Sequence, residues 1–199
     1  MNRTLAALLL ATSACAASPI ALAQSGAVPL ATSQQPIPAE KNPPGDIPDN
    51  QAFVLFKSPL GFSVKVPEGW ARRDEPGGVR FSDKYNTVRV TVAPQATVST
   101  RASLKANEIA EFEKSPMAIR VNAITPVTLP SGNGFAVNYG ANSDPNPVTN
   151  KAIRLDNARY YLWKSGKLAT LTLSAPAGAD NVDQWRLMAN SFAWTPTKP

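Results

Sequence analysis

The sequence predicts a compact α+β domain with layers above and below its sheet, and three observations predict it. Apolar runs punctuated by Gly and Pro fill the chain from about Gln51 to Trp194, and runs of period two between turn residues read as half-buried strands. Two longer stretches place their apolar residues three and four apart, the spacing of a helix face. One strand, Arg159-Tyr160-Tyr161-Leu162-Trp163, is apolar on both sides, which calls for cover above and below the sheet. Some 145 residues are enough for a single core without staples.

The elements follow in order. Phe53-Val54-Leu55-Phe56 and Phe62-Ser63-Val64-Lys65-Val66 flank Ser58-Pro59-Leu60-Gly61, two strands and a turn. Pro67-Glu68-Gly69-Trp70 makes the next turn, and its Trp is expected to fold back as a core plug. Val79 to Val92 predicts a second hairpin turning at Asp83-Lys84-Tyr85-Asn86, in which residues whose numbers sum to 169 stand opposite each other. That pairing puts Val79, Phe81, Val88 and Val90 on one face and Arg80, Ser82, Thr87 and Arg89 on the other. It also sets Arg80 across from Arg89, which is unfavourable unless something negative stands between them. An Asp or Glu of the same chain, or an anionic ligand or partner, would serve.

Thr100 to Lys114 predicts a helix with Leu104, Ala106, Ile109 and Phe112 inward and Lys105, Glu108, Glu111 and Glu113 outward, stopped at Ser115-Pro116. Glu108 and Glu111 read as a solvated helix face. Strands are expected over Ile119 to Leu129 with a break at Pro126, then Phe135 to Tyr139, Arg159 to Trp163, and Lys167 to Ser174. Ser131-Gly132-Asn133-Gly134 reads as a turn, and Lys164-Ser165-Gly166-Lys167 closes an antiparallel hairpin. A last helix is signalled by Asp180 as N-cap, Asp183 in its first turn, and a stripe of Val182, Trp185, Ala189 and Phe192.

Ahead of the domain lie two segments of different composition. Met1-Asn2-Arg3 carries one positive charge, and Thr4 to Ala23 carries none. This uncharged Ala- and Leu-rich run, broken by Pro19 and ending Ala21-Leu22-Ala23, has the profile of a signal peptide over 1–23 cleaved between Ala23 and Gln24. Thr12-Ser13-Ala14-Cys15 also fits a loose lipobox without its usual Leu, so lipidation at Cys15 is a second route. Residues 24–50 carry prolines at 29, 36, 38, 43, 44 and 48 among Ala, Ser, Gln and Gly. They are expected to form a disordered linker, which as an extended spacer would reach about 80 Å.

Composition excludes several chemistries. The chain has no His and its one Cys is Cys15, which removes His-dependent triads, His-ligated zinc sites, disulfides and thiol catalysis. No phosphate-cradling glycine loop, Gly-x-Ser-x-Gly elbow or Ser-x-x-Lys motif is present. No cofactor and no catalytic residue is therefore expected. The formal net charge of +6 loses only Arg3 on removal of 1–23, and the remaining excess favours an anionic neighbour such as a lipid surface, envelope polymer or acidic protein. The cations are scattered and no nucleic-acid motif occurs, so nucleic acid is not an expected partner.

The long irregular segment Asn142 to Arg154 is where binding residues are expected, with Asp144, Asn146 and Lys151 as candidates beside Arg80 and Arg89. Its Asn142-x-Asp144-x-Asn146 spacing is that of a calcium loop, but Pro147 stands where such a loop needs Gly and Ile153 where it needs Glu. No metal site is read there.

Taken in order, several segments resemble the PsbP-like superfamily, which takes in photosystem PsbP subunits, LpqN-type bacterial lipoproteins and DcrB. They are Val66-Pro67-Glu68-Gly69-Trp70, the Phe81-Ser82-Asp83-Lys84 hairpin, Arg159-Tyr160-Tyr161-Leu162, Leu171-Thr172-Leu173-Ser174-Ala175-Pro176, Trp185, and Ser191-Phe192-Ala193-Trp194. The resemblance covers about residues 52–194 and rests on turn and core positions. It implies an antiparallel β-sheet sandwiched between helices, an α/β/α layering, and a non-enzymatic binding or accessory module, often exported or lipid-anchored, with no catalytic residue to carry over. The expectation is an exported, periplasmic or extracellular protein of the bacterial cell envelope, meeting a membrane only through a lipid on Cys15 and binding an envelope protein, lipid or glycan. The alternative is an envelope hydrolase using carboxylates such as Asp83, Asp144 and Asp156, which would have to converge in one pocket.

Overall fold

Alternation of apolar and polar residues dictates the central feature, a seven-stranded sheet covered differently on its two faces. The structure, a computed structural model, describes residues 34–41 and 45–196. Its strands are β1 (Phe53–Ser58), β2 (Phe62–Pro67), β3 (Ala71–Glu75), β4 (Gly78–Asp83), β5 (Asn86–Pro94), β6 (Arg120–Leu129), β7 (Gly132–Asn142), β8 (Arg154–Lys164), β9 (Lys167–Pro176) and β10 (Ala193–Trp194). The large sheet has the order β3-β4-β5-β9-β8-β7-β6, and β1, β2 and β10 make a small second sheet. Every pairing is antiparallel. Among the described residues no helix is long and apolar enough to cross a membrane.

Helix α1 runs through Arg101–Leu104, Lys105–Ile109 and Ala110–Glu113, the middle segment a π turn. Thr100 caps it with a reciprocal bond to Ser103, satisfying two N–H groups of the first turn. Helix α2 is Val182–Ser191. The two helices lie on opposite faces of the large sheet: Met188, Ala189 and Phe192 join Val79, Phe81, Val88, Val90, Leu171 and Leu173, while Leu104 and Ile109 join Val137, Tyr139 and Tyr161. The α2 face is the drier, with Phe62, Val64 and Phe192 at 0% exposure. Burying each such side chain contributes about 1.5–3 kcal/mol.

The β4–β5 hairpin has the expected register, Val79 opposite Val90 and Arg80 opposite Arg89. Ser165 and Gly166, both at positive φ, close the β8–β9 hairpin, the backbone of a tight two-residue turn.

Several local expectations are corrected. Strand β3 is missing from the sequence reading because Ala-Arg-Arg-Asp-Glu has no apolar alternation; it is an edge strand, exposed along most of its length. Pro126 does not break β6, where it pairs with Phe135, and the irregularity is a bulge between Val121 and Ala123. An edge strand tolerates the proline because one side of its backbone has no partner. Ala106 is exposed and Glu108 half-buried: the π turn brings residues five apart, Leu104 and Ile109, onto the same side, which rotates Ala106 outward. Trp70 is half-buried at the margin of the core instead of plugging it.

Residues 34–41 and 45–50 of the proline-rich segment are also not a free linker. Ile47 is buried at 4% exposure. Its amide donates to Asn181 Oδ1 at 2.6 Å, while Asn181 Nδ2 and Asn86 Nδ2 donate to the Gly45 carbonyl. A Cβ on Gly45 would stand 2.5 Å from Pro176, so only glycine approaches closely enough. Further upstream, Asn142 Oδ1 accepts from the Ile37 amide and its Nδ2 donates to the Gln35 carbonyl. Three buried asparagines, Asn86, Asn142 and Asn181, therefore tie down a segment with little apolar content of its own. This use of Asn181 explains why it is the α2 N-cap residue yet makes no side-chain cap, and why Asp180 is not the cap. Val182, expected on the buried stripe, is 61% exposed, and Met188 takes the inward place.

Candidate functional site

The residues that β4, β5, β9 and β8 turn away from the α2 core form a polar face. Arg73, Arg80, Arg89, Thr172 and Arg159 stand opposite one another across β3, β4, β5, β9 and β8, so four arginines share one rung at strand spacings of about 4.8 Å. The neighbouring rung carries Ser82, Thr87, Ser174, Asn157 and Tyr139, with Ser174 Oγ donating to Asn157 Oδ1 at 2.6 Å. Helix α1 packs on the β7 and β8 part of this face. Beside Phe112 the face opens into a cavity of about 510 Å³, walled on one side by the β4–β5 turn and on the other by residues 141–147.

Charge is unevenly compensated. Arg80, Lys84, Arg89 and Arg159 line the cavity against one lining carboxylate, Asp144. Glu75, at the end of β3, stands between the opposed arginines: Arg89 Nε donates to its Oε2 at 2.5 Å, and Arg80 Nε is 4.0 Å from Oε1. The repulsion expected across the hairpin is thus relieved from within the chain, by a strand the sequence reading lacks. Arg159 is held differently. Its Nε donates to Thr172 Oγ1 at 3.1 Å, and its guanidinium lies 4.2 Å from the Phe112 ring centre and 5.5 Å from that of Tyr139, a cation–π seat. Burial pushes the Tyr139 and Tyr161 hydroxyls above the ordinary phenol value, and the Arg159 charge partly opposes this.

Arg80, Arg89, Asp144 and Asn146, chosen from the sequence, all line this cavity. Asn146 spends its side-chain oxygen on the amides of Val148 and Thr149, so it shapes the loop. Lys151 stands outside the lining and pairs with Glu40 of the proline-rich segment, whose hydrogen bond raises the ammonium pKa. Glu75 and Arg159 are the residues sequence reasoning missed. Cys15, Ala23 and Gln24 lie outside the described residues.

The three carboxylates of the hydrolase alternative do not meet. Asp144 faces the cavity, whereas Asp156 lies on the opposite side of the sheet beside Trp185 and Arg186 and accepts from the Gly178 amide. Asp83 ends the exposed β4 tip. Among the described residues no group of three or more acidic side chains is placed to hold a metal ion.

The architecture is that of known structures. Cyanobacterial PsbP (CyanoP) from Synechocystis sp. PCC 6803 superposes with a TM-score of 0.53 at 15% identity, over 76% of this chain and 98% of that one. The Saccharomyces cerevisiae Ran-binding protein Mog1p superposes with a TM-score of 0.52 at 10% identity, over 74% and 98%. LpqN of Mycobacterium tuberculosis, described as involved in cell envelope biogenesis, is 13% identical over 74% and 87% at a TM-score of 0.44, too distant to carry an argument. No protein-family model and no curated protein matches the sequence. At these identities the likeness establishes a PsbP-like fold, as the sequence resemblance implied.

Proposed function

From a PsbP-like fold with one face sealed and the other opened over a rung of arginines, we propose that this protein is an exported, non-enzymatic binding module of the bacterial cell envelope. It holds an envelope protein, lipid or glycan in the cleft between the β4–β5 hairpin and the 142–154 loop. The observation that carries this reading is the convergence of Arg80, Arg89, Asp144 and Asn146 on one cavity with four cations and one carboxylate in its lining. A fold alone does not specify a role, so the reading rests on this site. Export rests on the charge-poor segment Thr4 to Ala23 and its small-x-small end.

The test is retention. Mature protein immobilised on a resin is expected to hold back an envelope component from a detergent-solubilised membrane and periplasm fraction, and Arg80→Ala with Arg89→Ala is expected to release it. Retention that is absent, or unchanged in the double variant, overturns the proposal.

A further inference from the structure

We infer that the cleft's specific ligand chemistry is a phosphate ester, seated on Arg159 and Arg89 either side of Thr172. The inference rests on the binding-module reading and deepens it. Six ion pairs form among the described residues, and Arg159 takes part in none. Yet its guanidinium is not loose: Thr172 fixes Nε, and Phe112 and Tyr139 fix its plane. The Tyr139 and Tyr161 hydroxyls also lie within reach of this guanidinium, and a guanidinium presents its N–H groups in a fork that matches the oxygens of a phosphate.

Acceptor number, together with charge, distinguishes the oxyanions that a guanidinium fork can seat. Four cations line the cavity with Asp144, Glu75 pairs with Arg89, and Glu108 and Glu111 flank Arg89 and Arg159 on the α1 side. A single carboxylate supplies one negative charge. A phosphate monoester supplies up to two, and a diester supplies one with several acceptor oxygens. Phe112, Met117 and Ile119 line the same cavity, and they offer the organic part of the ester an apolar surface next to the charged end. Glu75 already binds Arg89 through a carboxylate, so the chain carries its own stand-in for the ligand's oxyanion. A phosphate entering the cleft competes with it.

Two probes distinguish the sources of a phosphate ester: glycerol 1-phosphate, as a soluble ester, and phosphatidylglycerol vesicles, with phosphatidylcholine vesicles as the uncharged-surface reference. Binding to the mature full chain would be followed by ¹⁵N-edited NMR of the arginine side chains for the soluble ester and by co-sedimentation for vesicles. At least one anionic probe is expected to bind and to shift the Arg159 and Arg89 Nε signals or sediment the protein. Arg159→Gln is expected to weaken it by about tenfold or more, the loss of a charge-assisted pair, and Glu75→Gln to strengthen it. Arg73→Gln, at the exposed end of the same rung and outside the cavity, is expected to leave it unchanged. Binding of the soluble ester alone identifies a diffusible phosphorylated ligand, and binding of vesicles alone identifies a lipid headgroup. If Arg159→Gln weakens packing, Arg89→Gln reports on the same site from an exposed position. The inference is overturned if neither probe binds at millimolar concentration, or if Arg159→Gln and Arg89→Gln both bind as the parent does. Should an envelope component still be retained in that case, the cleft binds something else and only the phosphate assignment fails.

Discussion

The two faces of the large sheet are built from the same strands and differ by one residue in register, yet one is a sealed core and the other a site. On β9, Leu171 and Leu173 are wholly buried against α2 and the small sheet, while Thr172 and Ser174, which alternate with them, look into the cleft. On β5, Val88 and Val90 join the core and Thr87 and Arg89 the cleft. The period of two writes both faces at once. What makes the second face available is its cover: α1 reaches the β7 and β8 half and spends its buried apolar residues, Leu104 and Ile109, there.

Neighbouring substitutions on β9 should therefore behave very differently. Leu171→Ala is expected to lower unfolding free energy by about 2–5 kcal/mol, and Thr172→Ala by about 1.5 kcal/mol or less, since it loses one hydrogen bond. Urea denaturation of both variants checks the contrast, and equal losses would break it. Residues 34–41 and 45–50 of the proline-rich segment belong to the stable part through their asparagine ties. Asn181→Ala leaves the Ile47 amide and the Gly45 carbonyl short of partners and is expected to cost about 1–3 kcal/mol, with faster proteolysis within 34–50 seen by mass spectrometry.

On the cleft face the effects are smaller because water screens them. Glu75→Gln leaves Arg80 facing Arg89 without a charge between them, but with the two guanidinium side chains 42% and 44% exposed the loss is expected to stay below about 1 kcal/mol and to shrink in high salt. The smallest effect is on the alkaline side. Burial raises the pKa of Tyr139, Tyr160 and Tyr161 above 10.0, so the folded state keeps these protons longer than the unfolded chain does. Their contribution to stability is intact below pH 10.0 and is lost as pH rises through the raised folded values. A spectrophotometric titration should show phenolate appearing later in the folded protein than in urea, and a coincident pair of curves would contradict this.

The β4–β5 hairpin was legible because its turn and its alternation are local, and a single numerical rule places Arg80 against Arg89. Strand β3 was not, because its side chains are almost all charged and solvent-facing; hence the carboxylate that relieves the arginine pair went unseen. Arg159 escaped notice for a different reason. Its place opposite Thr172 follows from the 165–166 turn, but the approach of Thr172 to Arg89 comes from β5 pairing with β9, a contact between distant parts of the chain that no local pattern announces. Ile47 and the asparagines that hold its segment were hidden likewise, since a proline-rich composition says what the segment lacks and not what the domain offers it.

The most direct test of a one-sided protein is to ask which side meets its partner in the cell. A photoreactive phenylalanine analogue placed at Tyr85, in the cleft wall, and separately at Val182, exposed on the α2 side, would be irradiated in living cells and the adducts read by mass. The account predicts an adduct with an envelope component from position 85 and none from position 182. An adduct from position 182 with none from position 85 would contradict it.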